Sequence, residues 1–328
     1  MKNETVSGQN LQNHKPQTTF SMKSNFNIPL FFIGVAACLF PFVSPAIALF
    51  MGLLLGFTVG NPYIKQSSIA SKYLLQFSVV GLGFGMNLYE SLQSGKEGML
   101  FTVVSVVGVL ALGFWLGRRM LMDSKTAYLI SSGTAICGGS AIAAVAPILK
   151  ANPNQMSVSL GTIFILNAIA LFIFPPIGKL LELTQEQFGL WAAIAIHDTS
   201  SVVGAGAAYG NKALEIATMV KLTRALWIIP LSIATTFFFK QKETKIKIPW
   251  FIFFFVLAMV ANTIFNLPEK ITSFLVFLSK KGMTITLFLI GSGLSLKVLK
   301  SVGMRPLVLG VTLWIFIGLI SLITIIFI

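Results

Sequence analysis

Charged residues are scarce in this chain of 328 residues: Asp, Glu, Lys and Arg together make up 10% of it, against roughly 25% in a soluble domain. Hydrophobic residues make up 55%, and the mean hydropathy is +0.85. Because so few charges cannot cover so much apolar surface, a water-soluble fold is excluded. The sequence predicts an all-α polytopic membrane protein whose outer surface faces the lipid bilayer.

Cysteine and catalytic motifs are also lacking. Cys38 and Cys137 are the only two cysteines, and both lie in apolar segments, which excludes a disulfide framework. The chain has no CxxC, HExxH, Walker A or nucleophile-elbow pattern. We therefore expect no enzyme, no metal site and no cofactor.

Acidic residues number only 10 against 24 Lys and Arg, which gives a net charge of +14. In membrane proteins Lys and Arg gather in cytoplasmic loops, so this excess requires no nucleic-acid partner. We expect no nucleic acid among the partners, and the sequence leaves a homodimer open.

The chain divides into a polar tail, residues 1–27, and a transmembrane domain, residues 28–328. The tail has the composition of a disordered segment. The domain contains eleven apolar segments at spacings that fit spans of about 20 residues. They lie near 28–43, 46–60, 73–90, 99–117, 127–149, 157–178, 188–208, 213–239, 249–266, 271–296 and 306–328.

The tenth segment has two interpretations, because Lys280-Lys281-Gly282 interrupts it. It is either one span or a short surface helix over 271–279 followed by a span from Met283.

The basic residues indicate an orientation. With a cytoplasmic N-terminus and eleven spans, sixteen Lys and Arg fall on the cytoplasmic side and four outside, or six if Lys280 and Lys281 lie there. The positive-inside rule therefore favours a cytoplasmic N-terminus and an external C-terminus.

An internal echo is visible between residues 80–88 (VGLGFGMNL) and 288–296 (FLIGSGLSL). The copies fall on the third and tenth spans, which cross in opposite directions. Inverted repeats are typical of secondary transporters.

A run of small residues, Ser131–Ala141, lies deep in the fifth segment. Glycine costs about 1 kcal/mol relative to alanine in a helix interior, so Gly138-Gly139 indicates a broken helix. A broken helix offers backbone N–H groups and a positive half-helix end to an anion. The alternative is a small-residue face for helix packing. The candidate substrate ligands here are Thr134, Cys137, Gly138, Gly139 and Ser140.

Lys221 and Arg224 lie inside the eighth segment and share a helix face. Each ionisable residue at a span centre costs roughly 2.5–3.5 kcal/mol, so the pair calls for negative partners. We predict that both bind an anionic substrate. Two alternatives stay open: an ion pair between Arg224 and Asp198, and snorkelling of both side chains to an interface.

His197 and Asp198 lie inside the seventh segment. Adjacent residues point about 100° apart on a helix, so the pair shares a face only if the helix opens, as Ser200, Ser201 and Gly204 would allow. Such a pair suits coupling to protons or sodium, and the alternative is a purely structural role. Asn167, although it lies within a span, is more typical of an interhelical hydrogen bond than of a ligand.

These residues carry a resemblance to a known family. The stretches Gly133–Ala141, Phe188–Asp198 and Lys221–Arg224 are similar to the YeiH family of bacterial inner-membrane proteins, which carry the label of sulfate exporters. The resemblance covers the chain from about residue 30 and implies a fold related to bile-acid and sodium–proton transporters, with crossed broken helices. The chain departs from the family pattern at Ser200 and Ser201, where a glutamine is expected.

The sequence thus favours a secondary transporter, an exporter, of a small anion such as sulfate or an organic sulfonate, coupled to protons or sodium. The first alternative is a cation-coupled transporter of a carboxylate or neutral solute. The second is a non-transporting receptor or an intramembrane enzyme, which would need Cys137 or Ser140 beside His197.

Overall fold

The computed structural model describes residues 24–239, 250–294 and 302–327, and all regular secondary structure in these ranges is α-helical. Residues 1–23 of the predicted tail lie outside the described ranges. The fourteen helices of the described part are α1 (Ser24–Ala37), α2 (Pro45–Thr58), α3 (Ile64–Gly83), α4 (Leu88–Arg119), α5 (Ser124–Ala135), α6 (Gly139–Ile148), α7 (Pro153–Leu180), α8 (Gln185–Ala195), α9 (Thr199–Tyr209), α10 (Asn211–Ala225), α11 (Ile228–Phe238), α12 (Trp250–Phe265), α13 (Glu269–Gly293) and α14 (Met304–Phe327).

Several helical stretches have the length and composition of membrane spans. The described residues contain five of them: Thr102–Arg119, Pro153–Leu180, Asn211–Phe238, Glu269–Gly293 and Met304–Phe327. Shorter apolar helices, among them α2 and α12, accompany them. The chain is an all-α membrane protein, as its composition predicts.

The fifth apolar segment folds into a hairpin, which we call hairpin one (α5 and α6). Lys125 Nζ, at the start of α5, donates a hydrogen bond to the carbonyl oxygen of Lys150, just after α6, at 3.2 Å. Two collinear helices would hold these residues about 37 Å apart at 1.5 Å per residue. Both arms therefore open at the same end of the molecule, which we call the first end.

The seventh segment folds in the same way into hairpin two (α8 and α9). The Tyr209 hydroxyl, at the end of α9, donates to the carbonyl oxygen of Leu183, just before α8, at 2.6 Å. The Tyr209 ring stacks on Phe188 of α8 with 3.8 Å between centroids. This hairpin opens at what we call the second end.

The prediction that segments 127–149 and 188–208 each cross the membrane once was therefore wrong. Each arm has its own stop and start signals: Asp123 caps α5, and Thr184 with Gln187 forms a capping box on α8. An arm of 11 residues, such as α8, reaches about 16 Å, half of a bilayer core. The count of eleven spans is consequently not confirmed.

Long helices connect the two ends. The 28-residue α7 starts beside the mouth of hairpin one and stops beside the mouth of hairpin two, a path of about 42 Å. The α10–α11 stretch returns, because Thr235 of α11 hydrogen-bonds the Tyr128 hydroxyl of hairpin one at 2.8 Å. Pro230 lacks the N–H that would bond Leu226, which accounts for the interruption between α10 and α11. A hairpin followed by a long helical stretch thus occurs twice in opposite directions, an inverted repeat with broken helices.

The predicted echo falls on α3 and α13, which pack antiparallel. A Cβ on Gly85 would meet Val276, and one on Gly282 would meet Ser78, so rising numbers on one helix match falling numbers on the other. The opposite directions of the two copies are confirmed, although residues 295 and 296 of the second copy lie outside the described ranges.

The tenth segment is one helix, because α13 runs without a break from Glu269 to Gly293. The interpretation of 271–279 as a separate surface helix is wrong. Lys280 Nζ donates to Asn211 Oδ1 at 2.9 Å and Lys281 Nζ to the Phe40 carbonyl at 2.6 Å. Both ammonium groups therefore find polar partners at the second end without a helix break.

The hairpins predict which loops share a side of the membrane. Cysteines replacing Lys125 and Lys150 should react with an impermeant thiol reagent from one side, and cysteines replacing Lys179 and Lys212 from the other. The natural cysteines are buried and give little background. Reaction of positions 125 and 150 from opposite sides would contradict hairpin one.

Candidate functional site

The tips of the two hairpins meet inside the bundle. Hairpin one turns over Ile136–Gly138, where Gly138 has φ +64°, a conformation that favours glycine. A Cβ on Gly138 would lie 3.4 Å from the carbonyl oxygen of His197, the central residue of the other tip. The broken helices therefore cross at Gly138 and His197.

The tip of hairpin two is extended and is held by an asparagine of α7. Ile196 and Asp198 have β-region dihedrals. Asn167 Oδ1 accepts the backbone N–H groups of His197 at 3.1 Å and Asp198 at 3.2 Å. Asn167 is thus the interhelical hydrogen-bond group that its position indicates, and it sets the shape of the tip.

Asp198 is the N-cap of α9. Its Oδ2 accepts hydrogen bonds from the Ser201 backbone N–H, at 3.3 Å, and from the Ser200 hydroxyl. A carboxylate at a helix N-terminus is stabilised by the free N–H groups and by the positive end of the dipole. Ser200 and Ser201, which stand where the family pattern has a glutamine, therefore donate hydrogen bonds to the capping carboxylate of Asp198.

Lys221 ties the two tips together from α10. Its side chain is 0% exposed. Its Nζ donates to three carbonyl oxygens, those of Ile136 at 3.1 Å, Ala193 at 3.3 Å and Ile196 at 2.7 Å. An ammonium has three N–H donors, so all of them are used by the backbone.

Arg224, one turn further along α10, binds the end of α5. Its guanidinium donates to the Ala135 carbonyl oxygen at 2.5 Å and to Ser105 Oγ of α4 at 3.0 Å. The side chain is 0% exposed, and its Nε has no partner among the described residues. Arg224 therefore retains donor capacity that Lys221 lacks.

The charged side chains at the tips lie at helix ends of opposite dipole sign. Lys221 and Arg224 contact the C-terminal ends of α5 and α8, where a dipole carries about −0.5 charge, and Asp198 caps an N-terminal end, where it carries about +0.5. Lys221 and Arg224 are fully buried, whereas Asp198 at the tip of hairpin two keeps some exposure. The centre of the bundle thus holds more positive than negative side-chain charge.

The structure brings most of the predicted site residues together. Thr134, Cys137, Gly138, His197, Lys221 and Arg224 are buried at or beside the tips, and Asp198 is half-buried there. Gly139 is partly buried and Ser140 is exposed, which leaves Ser140 off the buried crossing.

Two structural alternatives are excluded by the contacts. Arg224 binds Ala135 and Ser105 instead of Asp198, so the proposed ion pair is not formed. Complete burial of Lys221 and Arg224 rules out snorkelling.

Several buried polar atoms around the tips have no hydrogen-bond partner among the described residues. They are Thr134 Oγ1, Asn167 Nδ2, both ring nitrogens of His197, and Arg224 Nε. Buried polar atoms are normally paired, so such a group of orphans indicates a place where water or a ligand binds.

A cavity of about 440 Å³ opens near the second end between α10 and α13. Its lining includes Asn211, Glu215 and Thr218 of α10 and Lys280 of α13. Thr218 precedes Lys221 by three residues, about 4.5 Å along the helix axis. On α10 the cavity lining therefore comes within one helical turn of Lys221.

The chain matches the family model described as "Conserved hypothetical protein 698" over residues 20–310. It is 62% identical to a UPF0324 membrane protein of Bacteroides thetaiotaomicron over 282 residues, 85% of this chain and 86% of the relative. It is 56% identical to a UPF0324 membrane protein of Porphyromonas gingivalis over 290 residues, 86% of this chain and 88% of the relative. No solved structure matches the chain.

Substitution of Asn167 by leucine should destabilise hairpin two by about 2–4 kcal/mol, because it removes the acceptor of two buried N–H groups, each costing about 1–3 kcal/mol when unpaired. Melting temperature in detergent measures this. Asn167→Asp keeps an acceptor oxygen and serves as the control. Equal melting of Asn167→Leu and the unsubstituted protein would show that Asn167 does not hold the tip.

Proposed function

We propose that this chain, which belongs to the family described as conserved hypothetical protein 698, is a secondary transporter that exports a small anion, such as sulfate or an organic sulfonate, in exchange for or together with protons or sodium. The observation that carries the proposal is the pair of re-entrant hairpins whose tips meet beside two buried cations.

The hairpins support a transport role because they form a barrier between two opposite mouths. Irregular backbone at membrane depth is tolerated where it lies in protein or lines a wet cavity, and broken helices form the substrate and ion sites of many secondary transporters. A short movement of either hairpin would open the centre to one end only.

The charges support an anionic substrate. The four half-helix ends at the tips, two of each sign, cancel to a first approximation. Lys221 and Arg224 then exceed Asp198 by one positive charge, and an uncompensated buried charge costs several kcal/mol. A small oxyanion would balance it and accept hydrogen bonds from Arg224 Nε, Asn167 Nδ2 and Thr134 Oγ1.

The cavity at the second end supports an access route to this centre. Lys280, which lines it, carries a positive charge that attracts anions, and Thr218, which also lines it, lies one helical turn before Lys221. His197 and Asp198 at the tip are the candidate coupling groups, since a carboxylate and an imidazole are the usual proton-handling side chains in transporter cores. An intramembrane enzyme with Ser140 as its nucleophile is not supported, because Ser140 is exposed while His197 is buried.

The basic residues support a cytoplasmic first end and an external second end and C-terminus, in a bacterial inner membrane. The hairpins move Lys150 to the cytoplasmic side and Lys179 to the outside, so the count stays sixteen to four. Lys280 and Lys281, at the second end, raise the external count to six. This distribution agrees with the positive-inside rule.

The orientation is tested in whole cells with the same introduced cysteines. Positions 179 and 212 should react with an impermeant reagent added outside, and positions 125 and 150 only after permeabilisation. The reverse pattern would overturn the orientation and leave the hairpins intact.

Anion binding is tested by the melting temperature of purified protein in sulfate, sulfite, alkyl sulfonates and carboxylates at constant ionic strength. A bound anion at 100 times its Kd should stabilise the protein by about 2.7 kcal/mol. Arg224→Ala should lose this stabilisation, and Arg224→Lys should weaken it, because an ammonium cannot form the bidentate bonds of a guanidinium.

The matched control is Lys212→Ala, which removes a cation of the same helix at the second end, where Lys212 pairs with Glu215. It should keep the anion response. A folded Arg224→Ala protein with an unchanged anion response would overturn the anion site. Stabilisation by carboxylates alone would favour the transport of a carboxylate.

A further inference from the structure

Three carbonyl oxygens at the hairpin tips form a cage, made by Ile136, Ala193 and Ile196. None can be satisfied by an ordinary helix bond from the chain that follows. Ile136 and Ile196 lie where their helices have stopped, and the N–H of His197, which would bond Ala193 in a continuing helix, binds Asn167 instead. The crossing of two broken helices therefore creates three orphan acceptors in the protein interior.

Such a cage has the ligand chemistry of a monovalent-cation site. Unwound carbonyls and half-helix C-termini coordinate sodium or protonated groups in transporters, and carbonyl rings replace the hydration shell of potassium in channels. Here the oxygens lie 2.7–3.3 Å from the Lys221 Nζ, the distances of ammonium hydrogen bonds. Lys221 approaches from α10, outside both hairpins.

We infer that the carbonyl cage of Ile136, Ala193 and Ile196 is a monovalent-cation site that the chain fills with its own Lys221 ammonium. The site holds the two tips together through a charge that cannot leave. It differs from the anion site proposed above, since all three hydrogens of the ammonium point to the backbone.

This occupancy bears on the coupling ion, an extension that rests on the proposed transport function. A tethered ammonium excludes sodium from the cage. Sodium coupling would then need a site elsewhere, and the groups placed to carry protons are His197 and Asp198 at the adjoining tip.

The test is the melting temperature of Lys221→Ala in chloride salts of choline, sodium, potassium and methylammonium at one ionic strength. Lys221→Ala should melt below the unsubstituted protein in choline chloride. Potassium or methylammonium should then restore several degrees with a saturable concentration dependence, since a free cation refills the cage. The unsubstituted protein should melt at the same temperature in all four salts.

The matched control is Arg224→Ala, which removes the neighbouring buried cation and leaves the cage filled. It should not respond to methylammonium. A Lys221→Ala protein as stable as the unsubstituted one, or equally unstable in all four salts, would overturn the cation site. Because chloride is the anion throughout, neither outcome depends on whether Arg224 binds a substrate.

If Lys221→Ala gives no folded protein, the cation site is tested by comparing the yields of monodisperse Lys221→Arg and Lys221→Met. Arginine keeps a cation near the cage, whereas methionine fills the space of the side chain without charge. The cation site requires a clearly higher yield for Lys221→Arg. Equal yields would overturn it.

Discussion

Backbone carbonyls without helical partners dominate the centre of this protein. Two helices stop halfway through the bundle, and in a low-dielectric interior each unpaired carbonyl costs free energy comparable to a lost hydrogen bond. Lys221 and Arg224 offset this free-energy cost by donating four hydrogen bonds to carbonyl oxygens. Most other features follow, since the hairpins can stop where they do only because α10 passes beside both tips. The two buried cations therefore first stabilise backbone carbonyl groups. Only the positive charge that these carbonyls do not balance is available to attract a ligand.

Composition and a few residues predict much of this arrangement. The shortage of charge determines the membrane class, Gly138-Gly139 marks one break, and His197-Asp198 marks the other. Lys221 and Arg224 are recognisable as central because buried cations are so costly. What sequence reasoning misses is that a break can reverse the chain. An apolar stretch of twenty residues reads the same as one span or as two short arms, since lipid and protein interior are equally apolar.

The missed signal lies at the mouths of the hairpins. Asp123 and Thr184 are the N-caps of the entering arms, α5 and α8. Asn152 and Gly210 are the N-caps of α7 and α10, the helices that follow the returning arms. Caps at both ends of a broken segment, with lysines beside them, indicate that both ends meet water at one surface. The partners of the cations could not be found this way. Backbone carbonyls look alike in every sequence, so a search for an acidic partner leads to Asp198, which instead caps its own helix.

Each hairpin is locked by the helix that follows the other one: Asn167 of α7 holds the tip of hairpin two, and Lys221 of α10 holds the tip of hairpin one. This interlock sets an order of assembly during synthesis. The hydrogen-bond donor of the Ile136 carbonyl, Lys221, lies 85 residues further along the chain. At 5–20 residues per second, the ribosome needs about 4–17 s to synthesise that stretch. Until then hairpin one has an unfinished tip, and the insertion machinery or the lipid interface must shelter it. The tip of hairpin one therefore completes its hydrogen bonds only after α10 has been synthesised. A chain that stops before Lys221 would leave the Ile136 carbonyl without this partner.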